Sequence, residues 1–116
     1  MTDTISDERF EELVADALDG IPEELGRLME NVAVFVEDGA NNPRLLGLYQ
    51  GIPLTKREQY GVGGAMPDRI TIYREPILAR CHTEAQVVEQ VRITVVHEVG
   101  HHFGINDARL HELGYG

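Results

Sequence analysis

His97, Glu98 and His101 stand in HExxH spacing, and Gly104 and Asp107 follow at intervals that extend the pattern to HExxHxxGxxD. Two imidazoles four residues apart lie on one face of a helix and can both reach a single ion. Zinc takes neutral imidazole and carboxylate oxygen, and a catalytic site uses three protein ligands and keeps a position open. A glutamate beside the first histidine can act as general base toward a metal-activated water, which gives Glu98 the catalytic role. Its alternative is a carboxylate that orients a histidine. Gly104 permits a sharp turn after the helix, so Asp107 can swing back as the third ligand. The agreement of helix, turn and third ligand makes the extended pattern far more specific than HExxH alone.

Asn106 or Asp107 caps a last short helix ending near Gly114, and a capping role for Asp107 competes with ligation. His111 and Glu112 lie one turn further and are the alternatives to Asp107 as ligand. His102 falls within the apolar arc of the helix and is expected to be a buried, hydrogen-bonded histidine. His82 is expected to be a surface residue near a cap. With two neutral imidazoles and one aspartate, a zinc ion would keep a single net positive charge. That acidifies water less than three histidines would and makes Glu98 more necessary at neutral pH.

These residues need a helix to carry them. Thr83 and Gln86 form a capping-box pattern, and Glu84 suits the first turn of a helix that Gly104 stops. Val87, Val88, Val91, Val95, Val99 and Phe103 cover about half of a helical wheel, which predicts a largely buried helix held by packing rather than propensity. His97 and His101 fall at one flank of that arc with Gln90 and Thr94, so they are expected to face a cleft.

Upstream, residues 6–19 carry Phe10, Leu13, Val14, Ala17 and Leu18 on one stripe and acidic residues opposite, a helix ended by Gly20. Pro22 starts a second short helix to about residue 30. Residues 31–38 and 45–50 read as strands. Residues 69–74 (RITIYR) alternate most cleanly and read as the best strand. Between them, 53–68 form a polar connection with Gly61, Gly63 and Gly64, without the GxxxxGK(S/T) pattern of a phosphate loop, read as a surface loop. Pro76 suits the first turn of a short helix ending near Cys81.

A chain of 116 residues that is 42% hydrophobic supports one domain, residues 1–116, with one ordinary core. No apolar run approaches the roughly 20 residues of a membrane span, and the acidic N-terminus lacks the pattern of a signal peptide. Cys81 is the only cysteine, so no internal disulfide forms, and a cytoplasmic protein is expected. Nothing near Cys81 activates it, and it reads as a half-buried thiol. The net charge of −10 resides in residues 1–40, with 12 acidic and two basic residues, while residues 41–116 balance. Without a basic stripe, nucleic acid is excluded as a partner. The acidic segment reads as a solvated face.

The blocks MENVAVFVED, LLGLYQGIPLT, PDRITIYREPIL, EQVRITVVHEVGHHFGI and DARLHEL together resemble the zincin-like metallopeptidase-type family of very small bacterial proteins, sometimes called minizincins. The resemblance implies zinc held by His97, His101 and Asp107, with Glu98 catalytic. It implies an α+β fold of reduced zincin type, helices packed on a small sheet of three or four strands with the long motif helix beneath. Nine residues follow Asp107 and none is methionine, so the methionine turn and one cleft wall of larger relatives are expected to be missing. His111, Tyr115, Tyr60 and Tyr73 are the candidates to stabilise an oxyanion. The leading expectation is zinc-dependent hydrolysis of a peptide or amide, with RITIYR as the sheet edge that pairs with an extended peptide or protein substrate. The missing wall motivates an alternative, a metal-stabilised binding module without catalysis. A ferrous oxygenase also uses two histidines and a carboxylate but has no need of Glu98.

Overall fold

The computed structural model describes residues 5–51 and 67–114. The fold is α+β, as expected: five helices and a three-stranded mixed sheet among the described residues. The elements run α1 (Asp7–Asp19), α2 (Glu23–Leu28), β1 (Val32–Glu37), β2 (Gly47–Gln50), β3 (Asp68–Tyr73), α3 (Arg74–Arg80), α4 (Glu84–His102) and α5 (Asp107–Glu112).

Local chemistry sets most helix ends. Ser6 Oγ accepts the Arg9 N–H at 3.1 Å and opens α1. Thr83 Oγ1 accepts the Gln86 N–H at 3.1 Å and opens α4. The reciprocal half of the capping box lands one residue early, because the Gln86 side chain takes the His82 N–H rather than that of Thr83. At the other end of α4, Gly104 has φ +74°. The Gly104 N–H donates to His101 O and the Ile105 N–H to Gly100 O, the paired closure of a Schellman turn.

The sheet order is β1-β3-β2, with β3 parallel to β1 and antiparallel to β2. This corrects the placement of RITIYR. That segment is the central strand, so its backbone is engaged on both sides, and the edges are β1 and β2. Ile70, Thr71, Ile72 and Tyr73 are all buried, which a half-exposed alternating strand would not be. Strand ends at Tyr73 and Arg74 already begins α3.

The core lies between the sheet and the helices. Phe10, Leu13 and Ala17 of α1, Leu25 of α2, Ile70 and Ile72 of β3, and Val87, Val91, Val95, Val96 and Val99 of α4 meet there. Each fully buried side chain of this size stabilises by roughly 1.5–3 kcal/mol, which is what holds a valine-rich segment helical. Arg9 bridges α1 to the first turn of α4 through Glu84 at 2.8 Å. Cys81 is buried in the same core, and burial pushes its thiol above the ordinary value, so it is inert as a nucleophile.

The contact that places β2 against α4 depends on Gly47. A Cβ there would lie 2.7 Å from Thr94 Cγ2 and 3.1 Å from Thr71 O. Thr94 is itself pinned, its hydroxyl donating to Gln90 O at 2.8 Å. Gly47→Ala is therefore expected to destabilise the protein by about 1–3 kcal/mol, read as a lowered urea midpoint at unchanged slope. An unaltered midpoint would show that β2 does not bear on the helix this closely.

Candidate metal centre

The last two turns of α4 carry His97, Glu98 and His101. The His97 and His101 rings lie 5.8 Å apart between centroids at 67°, adjacent on one side of the helix and within reach of one ion. His97 is half-buried and His101 exposed. His97 and Glu98 line an open cleft of about 250 Å³ with Gln90, Thr94 and the β2 approach at Leu46 and Gly47. His97 thus leaves the core toward a cleft, as the helical wheel predicts, whereas His101 is exposed and does not line it.

Glu98 is held from the sheet. Its Oε1 accepts the backbone N–H of Tyr49 at 3.2 Å. Tyr49 is in turn clamped: its hydroxyl donates to Asp68 Oδ2 at 2.7 Å, and its ring stacks on His102 at 3.9 Å and 23°. His102 therefore departs from expectation. It is exposed rather than buried, with Nε2 4.0 Å from Asp68 Oδ2. The reason is positional: Val99 and Gly100 of the same turn are still buried, whereas His102 stacks on Tyr49 and covers the flank of β2. Phe103, also expected in the apolar arc, is 40% exposed and meets Tyr49 and His102 edge-on. Thr94, Val96 and Gly100 are buried beyond the predicted arc: β2 covers Thr94 at Gly47, and Leu110 of α5 covers Gly100.

Asp107 is the first residue of α5 and is exposed. The capping role belongs to Asn106, whose Oδ1 accepts the Arg109 N–H at 2.8 Å, so the Asp107 carboxylate is not spent on a cap. The position of α5 is fixed from two sides. Leu110 is buried against Gly100, where a Cβ would meet Leu110 Cδ2 at 3.1 Å. Arg109 pairs with Glu24 of α2, and its guanidinium holds that carboxyl below the usual range. His111 and Glu112 are exposed on α5.

The donor chemistry fits zinc in part. Two imidazoles on adjacent turns are groups that metal takes. Among the described residues no three His, Cys, Asp or Glu side chains close into a ligating group, so the structure brings His97 and His101 together without Asp107. Of the oxyanion candidates, Tyr73 is buried at the end of β3 and does not line the cleft. Tyr60, Tyr115 and the Gly61–Gly63–Gly64 connection lie outside the described residues.

The Tyr49 contact to Glu98 has no signature in side-chain types, since the donor is backbone. Gly47 did carry a signal: a glycine inside a short strand marks close approach by another element. No helix among the described residues is long and apolar enough to cross a membrane. Residues 29–116, three quarters of the chain, match the family model described as zincin-like metallopeptidase. No curated protein matches the chain.

Proposed function

Since this chain belongs to the zincin-like metallopeptidase family, we propose that it is a zinc-dependent hydrolase of peptide or amide bonds, with Glu98 as general base and His97, His101 and Asp107 as the metal ligands. The observation that carries the reading is the convergence of His97 and Glu98 on one cleft, with His101 beside His97 on the next turn. A zinc ion held there would supply Lewis acidity to the scissile carbonyl and lower the pKa of the attacking water.

The chain's own residues do the rest. Glu98 accepts the proton of the attacking water and returns it to the leaving amine. The Tyr49 N–H fixes Oε1, which leaves Oε2 as the oxygen that takes the proton. Tyr49, clamped by Asp68 and His102, keeps β2 seated over the motif helix and fixes the distance between cleft wall and base. Asp107, exposed at the first turn of α5, is the proposed third ligand. Its carboxylate is available for this because Asn106 makes the cap. Of the two sheet edges, β2 borders the cleft, so an extended peptide would lie along β2 and not along RITIYR. A cytoplasmic location is supported by a lone, buried cysteine.

A second reading, a metal-stabilised binding module, is favoured by the pairing of only two imidazoles without a third converging donor among the described residues. One experiment separates the two. Protein purified without added metal is expected to carry about one zinc per chain by elemental analysis. It is expected to cleave a peptide library, to stop with chelator and to resume with zinc. Zinc without cleavage selects the binding module. Iron in place of zinc overturns both.

A further inference from the structure

The sheet edge remote from the metal centre presents a second surface. β1 forms the outer strand opposite β2, and among the described residues it pairs only with β3. Between β1 and α1 runs a groove of about 360 Å³. Val34, Phe35 and Val36 all line it. Successive strand side chains point to opposite faces, so a space touched by three in a row faces the strand's edge and its backbone. The far wall is Val14, Ala15 and Leu18 of α1, with Glu11 on the lip.

The register shows what is missing. Val34 is paired with Ile70 and Val36 with Ile72, so each pair shares one face of the sheet. Ile70 and Ile72 are completely buried, whereas Val34 and Val36 are only partly so. On the other face Phe35 is 42% exposed, roofed by the Arg69 guanidinium at 4.2 Å. Natural edge strands are blunted by charged side chains, proline or a bulge. VAVFVE carries no lysine or proline, and its one charge, Glu37, stands at its end and is paired with Arg69.

The geometry points to β1 and the α1 groove as a docking site for an extended, cationic segment of a partner protein, which adds to the sheet as a fourth strand beside β1. Charge selects the occupant. Residues 1–40, which include α1, α2 and β1, carry the whole net charge of −10. Glu11 lies on the apolar groove and also on its acidic continuation beside Asp7 and Asp38, where Arg74 is already paired to both aspartates. A second copy would bring two such acidic segments together and is disfavoured. A segment with alternate apolar residues would cover Val34, Val36 and Leu18, and its lysines or arginines would meet the acidic lip.

The test uses a fluorescein-labelled peptide of alternating valine and lysine, six residues long to match β1, followed by anisotropy and by amide shifts in two-dimensional NMR. Shifts are expected to concentrate on β1 and α1. Ala15→Arg and Glu11→Lys, both at exposed helix positions, are each expected to weaken binding about tenfold or more with unchanged circular dichroism. A peptide of equal charge with a central proline should bind equally poorly, because it cannot complete the ladder. Equal affinity for the proline peptide would reduce the contact to unspecific charge attraction and overturn the proposal. So would equal affinity for a valine–glutamate peptide, shifts centred on β2, or sedimentation as a dimer that Ala15→Arg dissolves.

Discussion

Glu98→Gln will keep its zinc and lose about a hundredfold to ten-thousandfold of its peptide cleavage, the range that one positioned general base supplies. The substitution preserves shape. The glutamine oxygen can still accept the Tyr49 N–H that Oε1 accepts at 3.2 Å, so β2 stays seated on α4. What disappears is the ability to take a proton, because an amide oxygen is far too weak a base. Glu98 is not among the proposed ligands, so elemental analysis should return the same zinc content as the parent protein. Turnover retained at the parent rate would remove Glu98 from the chemistry. Zinc lost along with turnover would instead make Glu98 a ligand and leave the base unassigned. The companion variant Glu98→Ala adds a further reading: it also breaks the tie to β2, and its unfolding midpoint should fall where that of Glu98→Gln does not.

The difference between what the pattern predicts and what the fold shows is a difference between local and long-range chemistry. The motif helix is legible because both its ends are written nearby, in Thr83 with Gln86 and in Gly104. β1 and β3 are legible as strands for the same reason, since alternation rich in β-branched residues is a local property. Strand order is not. RITIYR alternates like a half-exposed strand, yet β1 and β2 flank it, and that follows only from pairings between residues 19 to 36 positions apart. His102 fails for a related reason. A helical wheel knows nothing of the neighbouring elements, whereas in the last turn of α4 Val99 and Gly100 are buried while the His102 imidazole stacks on Tyr49 of β2 instead of entering the interior. In the site, the types and spacing of His97, Glu98 and His101 identify a metal-binding pattern. The backbone N–H that holds Glu98 comes from a strand forty-nine positions away and has no side chain to announce it.

Zinc should stabilise the parent protein and should not stabilise His97→Ala or His101→Ala. A ligand that binds only the folded state raises stability by about 2.7 kcal/mol when present at a hundred times its Kd. For a chain of this size that shift corresponds to roughly 10 °C in Tm. Loss of a side chain that merely supports a ligand commonly costs 10–100-fold in metal affinity. Removing a ligand itself should exceed about 100-fold and so cancel the zinc-dependent shift at the same concentration. The metal-free melting points of these variants should stay close to the parent, because His97 is only half-buried, His101 is exposed, and neither belongs to the core. Asp107→Ala is the informative third case. If its carboxylate completes the set, its zinc shift falls with those of the two histidine variants. If Glu112 or His111 serves instead, the shift survives in Asp107→Ala and disappears in the corresponding α5 variant. His102→Ala supplies the control on the same helix: its ring is occupied by Tyr49, so its zinc shift should match the parent's even though its metal-free Tm falls. A full zinc shift in His97→Ala and in His101→Ala alike would place the ion elsewhere, and the hydrolase reading would fail with it.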